Sequence, residues 1–348
     1  MPDLNPLIER LPKVELHLHL EGSIRPSTLR EMARRKGRLL DETENWIEER
    51  ERQNFRYPRF GDFLNAFKLL SLLLETPADY ALAATRLMED LSAENVRYAE
   101  ITLSAGVILW KKQPLEAIFE TVAAAAGEAG EKLGLQVNWI FDAVRQFGMD
   151  HCREVMRHAA RFRQQGVVAF GLGGDEARGP ARLFAEVYRE ARDLGLHLTA
   201  HAGESEGPDS VRDAVEQLGV ERIGHATSAA NDPDVVRMLA ERHTTVEACL
   251  TSNLATGLIV RIEDYPLRVF NDAGVPVTIN SDDPAMFATG IGREMRLAAS
   301  HFALMADDLV RLSANAIHAA FLPSEARESL LGQLSLAAGR AAAAPAGT

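Results

Sequence analysis

Apolar residues along this chain recur in two rhythms. Short runs rich in β-branched and other apolar side chains occupy 14–19, 96–103, 136–142, 167–172, 197–201, 222–225, 244–249 and 275–280, each of a length suited to a strand. Between them lie longer stretches with helical periodicity, such as 180–194 and 210–218. This alternation predicts βα units and a parallel sheet, and a count of eight such runs predicts a (β/α)8 TIM barrel. After the first run comes a long helical insertion, 30–91, with no strand candidate, placed to cap one barrel mouth. Within it Phe60, Phe63 and Phe67 share a helix face, read either as ordinary core or as a lid over an apolar pocket.

Composition narrows the picture. A chain of 348 residues that is 46% hydrophobic can bury one large core. No Pro/Gly/Ser-rich linker divides it, so residues 1–336 read as one barrel domain, and 337–348 as a low-complexity, Ala-rich tail, frayed or disordered. The net charge of −12 lacks the basic footprint that a nucleic-acid partner requires. No apolar run approaches the roughly 20 residues of a membrane span, and no basic-then-apolar leader opens the chain. Cys152 and Cys249 are too few for a disulfide framework and form no Cys-x-x-Cys pair. A soluble, cytoplasmic protein without nucleic-acid or membrane partners is expected. The charges at 48–52 read as a solvated helix face.

Chemistry-bearing residues gather at the C-terminal ends of the predicted strands, where barrel enzymes place catalysis. His17 and His19 close the first run two residues apart, so alternation sends both to one face, where they can share a metal ion. Taken alone, the pair also suits two separate packing roles. His201-Ala-Gly-Glu204 follows the fifth run, His225 ends the sixth, and Asp282-Asp283 follows the eighth. Imidazoles with one carboxylate suit Zn²⁺, with Fe²⁺ or Mn²⁺ as alternatives, because hard Mg²⁺ or Ca²⁺ prefers oxygen donors. His17, His19, His201 and Asp282 make four protein ligands, and a bound water would then ionise near neutral pH. The fourth run ends Gly171-Leu-Gly-Gly-Asp-Glu176 without a lysine to bridge a second ion, which predicts one metal per chain.

Lys13-Val-Glu-Leu-His-Leu-His-Leu-Glu-Gly22, His201-Ala-Gly-Glu204, Arg222-Ile-Gly-His225, Cys249-Leu-Thr-Ser-Asn-Leu254 and Asn280-Ser-Asp-Asp-Pro284 together resemble the adenosine deaminase family in order and spacing. The resemblance implies that His17, His19, His201 and Asp282 bind zinc, and that Glu204 protonates purine N1 while water attacks C6. It makes His225 an electrostatic catalyst beside that water, with Asp282 also relaying a proton. Asp283 would meet N7, the Gly174 N–H would reach N3, and His19 and Glu21 would complete the substrate contacts. The implied reaction is hydrolytic release of ammonia from a purine nucleoside.

Three departures concern the sugar end. The first motif usually ends His-Leu-Asp-Gly, but here it carries Glu21; the fourth strand usually reads Asp-Leu-Ala-Gly-Asp-Glu, but here it has Gly171 and Gly173; and Ile101-Thr-Leu-Ser-Ala-Gly106 replaces an Arg-Tyr-Ser-Pro-like end. Adenosine and the 5′-modified nucleoside aminodeoxyfutalosine therefore stand together as substrates, ahead of free adenine. Another mononuclear amidohydrolase, or a non-catalytic relative that kept the fold, are the alternatives from other classes.

Overall fold

The computed structural model describes residues 3–37 and 41–342. Strands form at all the expected runs: β1 (Lys13–His19), β2 (Val96–Leu103), β3 (Gln136–Val144), β4 (Val167–Gly173), β5 (His197–Ala202), β6 (Arg222–His225), β7 (Thr245–Ala248) and β8 (Val277–Ile279). They pair in chain order, every neighbour parallel. Parallel neighbours require a crossover, and helices such as Leu115–Leu133, Met149–Arg161 and Pro233–Glu241 supply it. The result is the TIM-barrel architecture. The last strand is shorter than its apolar run because Pro276 has no N–H for the ladder, although its carbonyl accepts from Val246 N at 2.9 Å.

Between β8 and β1 the ladder gives way to a seam stitched partly by a side chain. Asn280 Oδ1 accepts from Leu16 N and His17 N at 3.0 and 3.2 Å. Asp282 N then donates to His17 O at 3.0 Å, and His19 N donates to Asp282 O at 2.9 Å. Three of the predicted ligand positions, His17, His19 and Asp282, thus take part in closing the ring.

The insertion folds as helices Pro26–Arg35, Asp41–Arg52, Phe60–Leu73 and Pro77–Ala93, the last started by a Thr76/Asp79 capping box. Phe63 is buried against Tyr57 and Phe287, ring centroids 5.5 and 5.3 Å away. Phe60 and Phe67 pack on that core while lining a cavity at the barrel mouth, so the aromatic stripe serves as both core and cover. The charged run at 48–52 is not wholly solvated: Arg50 is buried with its guanidinium 5.1 Å from the Tyr57 ring centroid, because its long apolar stem and planar head can pack where an acid cannot. Helix Ser324–Ala342 carries the Ala-rich stretch to residue 342, and 343–348 lie outside the described residues. Among the described residues no helix is long and apolar enough to cross a membrane.

Candidate active site

His17 and His19 point to one side of β1, as their spacing requires, and meet His201 from β5 and Asp282 from the segment after β8. Asp282 Oδ1 lies 3.5 Å from both His17 Nε2 and His19 Nε2, and His19 Nε2 is 3.3 Å from His201 Nε2. His17 Nε2 is buried and has no hydrogen-bond partner. Imidazole nitrogens converging in this way on one carboxylate oxygen fit a divalent cation with zinc's preference for nitrogen and carboxylate donors, and the ligand atoms of His17, His19 and His201 lie close enough together to hold a metal ion. Cys249 also lies close to His17 and Asp282, and burial pushes its thiol well above the usual range.

Backbone strain marks the same place. His225 and Asp282 adopt left-handed φ values of 66° and 63°, which non-glycine residues hold only when the surrounding structure fixes them. Glycines in the motifs make room for site side chains. A Cβ on Gly22 would overlap the Asp283 carboxylate, and one on Gly224 would lie 2.5 Å from His17 Cε1. Gly174 has φ +94°, and a Cβ there would come within 2.5 Å of Gln146 Oε1.

Glu204 stands beside the cluster, its Oε1 3.5 Å from His225 Nε2, which in turn is 3.9 Å from Asp282 Oδ2. Burial, then the charges of Asp282 and Glu176, hold the Glu204 carboxyl well above the usual carboxylate range, which favours its protonated form. Burial and the adjacent Asp282 do the same to Asp283. Burial lowers His225 to about 4, leaving a neutral imidazole. The Asn253 amide donates to His225 Nδ1 at 3.2 Å, which keeps the ring proton on Nε2, facing Glu204 and Asp282.

These groups floor a cavity of about 500 Å³, a size suited to a small ligand, roofed by Phe60, Phe63 and Phe67. His19, His201, Glu204, His225, Asp282, Asp283 and Gly174 reach it, and His17 lies behind them. Glu21 is set back from the cavity wall, accepting from Ser104 N at 3.1 Å, with its carboxyl pushed up to about 7 by burial.

With this geometry, a family model described as Adenosine deaminase matches residues 12–336. The chain belongs to the adenosine deaminase family. It is an aminohydrolase of that family, similar to an aminodeoxyfutalosine deaminase from Streptomyces coelicolor (36% identity; 93% of this chain, 84% of the relative). It is also similar to an adenosine deaminase from Clostridium perfringens (32%; 92% and 97%). Among solved structures it superposes on an adenine deaminase from Arthrobacter aurescens with a TM-score of 0.87 (26% identity; 94% and 98% covered). An amidohydrolase from Burkholderia ambifaria with bound Zn gives 0.86 (25%; 99% and 96%).

Other residues of this adenosine deaminase-family site escaped the sequence reading. Glu247 on β7 accepts His17 Nδ1–H at 2.9 Å and pairs with Arg222 Nε at 2.6 Å, and Arg222 reaches Glu100 at 2.6 Å. Glu176 accepts from the N–H groups of Gly203, Glu204 and Ser205 at 2.9, 2.9 and 2.8 Å, so a carboxylate seated in a backbone nest fixes the turn that aims Glu204. A charged residue inside an apolar strand was the available signal for Arg222, Glu100 and Glu247.

Proposed function

We propose that the enzyme hydrolyses the 6-amino group from a purine nucleoside, adenosine or aminodeoxyfutalosine, with one Zn²⁺ per chain on His17, His19, His201 and Asp282. The observation that carries this reading is Glu204, a carboxyl buried 3.5 Å from His225 Nε2 at the edge of the metal cluster, where burial favours its protonated form. An enzyme that only hydrolysed an amide would have less use for such an acid.

When bound, zinc supplies the Lewis acidity that makes a water nucleophilic near neutral pH. Glu204 donates its proton to purine N1, which makes C6 electrophilic and spares the ring a build-up of negative charge. His225, neutral and carrying its proton on Nε2, orients the attacking water. Asp282, through Oδ2, takes a proton from that water and returns it to the departing amine, so the carbon–nitrogen bond breaks as ammonia leaves; the second proton of the water leaves the C6 oxygen for Glu204, which restores the acid and gives the ring its carbonyl. Asp283, protonated, donates to N7, and the Gly174 N–H approaches N3, where a side chain would obstruct it. His19 and Glu21 flank the sugar, Glu21 acting by holding the Ser104 backbone that lines the cavity.

A nucleoside is supported by the room above the floor and by its apolar roof. The outer rim adds Lys68 and Arg178, exposed and without an acidic partner among the described residues, beside the stacked rings of Trp110 and Phe147. That combination suits an extended, anionic 5′ arm and favours aminodeoxyfutalosine. Free adenine is the second reading, favoured by the likeness to the adenine deaminase structure. A cytoplasmic setting is consistent with two buried free cysteines.

The test follows loss of absorbance at the adenine-to-hypoxanthine transition on adenosine, aminodeoxyfutalosine, 5′-methylthioadenosine and adenine, with zinc supplied. Strong preference for one nucleoside is expected. Turnover of adenine alone would replace the nucleoside reading, and silence on all four would overturn this family of substrates.

A further inference from the structure

In the family pattern the stretch before Gly174 usually reads Asp-Leu-Ala-Gly-Asp-Glu, whereas here position 171 is glycine and β4 carries no acid. The space beside that glycine is filled from the neighbouring strand. Asp142 on β3 is the register partner of Gly171, and its carboxylate spans the two glycines of β4. A Cβ on Gly171 would sit 2.9 Å from Asp142 Oδ1, and one on Gly173 would sit 2.7 Å from Oδ2. Side chains at 171 and 173 would therefore compete with Asp142 for the same space.

Asp142 is 7% exposed and lines the cavity, and no described protein group donates a hydrogen bond to it, an arrangement that a buried carboxylate tolerates only with a partner. Across the gap stands a second group without one. His201 Nδ1 lies 3.5 Å from the same point where a Gly173 Cβ would sit, and its only ring hydrogen bond involves Nε2. His17 shows what such a nitrogen usually finds, since its Nδ1 is held by Glu247 at 2.9 Å. Histidines that bind metals commonly donate their second ring N–H to a carboxylate, which fixes the tautomer and the ring. The His201 backbone is already tied down from β3's end, because Arg145 donates to His201 O and, at 3.0 Å, to Gly179 O.

We propose that Asp142 is the positioning residue of His201: it accepts the Nδ1–H across the Gly173 gap, after a side-chain rotation or through one bridging water, and so holds Nε2 toward the metal. Gly171 and Gly173 are the space it needs. This rests on the zinc reading of the site and deepens it.

The experiment compares wild type, Asp142→Ala, Asp142→Asn and the double variant Asp142→Ala/Gly171→Asp. Each is loaded with Zn²⁺ and titrated with a chelator in the absence of substrate, then assayed for kcat and KM. Asp142→Ala should bind zinc 10–100-fold more weakly, with KM little changed. Asp142→Asn, of the same shape and still an acceptor, should lose less. Gly171→Asp in the Ala background, returning a carboxylate from β4 to the same space, should recover most of the loss, which a merely structural role would not produce. Wild-type zinc affinity in Asp142→Ala overturns the proposal, and a selective rise in KM beside it would make Asp142 a substrate contact instead. Because the chelator titration uses no substrate, failure of the deaminase reading and failure of this one are separable.

Discussion

Two sets of buried carboxylates sit one above the other in this barrel, and they have been treated in opposite ways. Toward the floor, Glu100 and Glu247 flank Arg222, each 2.6 Å from it. Burial alone would push Glu247 up, but Arg222 and His17 outweigh it and bring the carboxyl below its usual range. At the mouth, Glu204, Asp283 and Asp142 have no cation in contact, and burial drives all three upward, Asp142 to about 7. Desolvation is common to both layers, so the guanidinium decides. Where an acid has its own cation, as Glu247 has, the ionised form is favoured and it orients a neighbour; where it has none, burial favours the protonated form, and at Glu204 and Asp283 that proton faces the pocket, while Asp142, closer to neutral, serves His201.

The comparison can be attacked from its upper half first. Glu204→Gln removes the donated proton while keeping the shape, and kcat should fall roughly 100- to 10,000-fold with zinc content unchanged; a drop below tenfold would mean the mouth acids are not proton donors. In the lower half, Arg222→Met leaves two buried acids without their cation, and denaturant unfolding should show a loss of about 3–5 kcal/mol. Glu247→Gln keeps most of the packing but weakens the grip on His17, so chelator competition should show metal affinity lower by about 10–100-fold.

The smallest effect is a slope. Glu21 and Asp142 are pushed up to about 7 and Glu15 to about 8, chiefly by burial. Folded values above unfolded ones mean that their stabilising contribution is complete only at low pH and is lost as pH rises through the folded values. Buried His19 and His225, lowered to about 4, act in the opposite sense, but only below their ordinary 6.5. The metal-free protein should therefore lose several degrees of thermal midpoint between about pH 6.5 and 8, and Glu21→Gln should flatten that decline. A flat wild-type profile would show that these acids are ionised after all.

What the sequence could reveal follows the same division. The strands were legible because each is a short apolar run, and the metal cluster because His17 and His19 share a face by spacing while His201 and Asp282 stand at the ends of other strands. The carboxylates that serve them were not legible. Glu247 and Asp142 stand on strands with no motif of their own, and their meaning comes from partners on other strands. The glycines behaved likewise: Gly22 is glycine because Asp283 occupies the space beside it, and Gly224 because His17 does, reasons that lie some two hundred residues away in the chain. The Phe60, Phe63 and Phe67 stripe was read as core or lid, and periodicity could not choose because the helix does both.

The stitched seam has a consequence for how the molecule comes into being. Leu16 and Asn280, which the closing hydrogen bond joins, are 264 positions apart, so the ring cannot shut until nearly the whole chain has been synthesised and the entropy of closing that long loop has been overcome. His17 and Asp282 belong to this last join. A growing chain on the ribosome would hold its histidines without their carboxylate, and the competent site would arrive only with the final stitch, late and all at once.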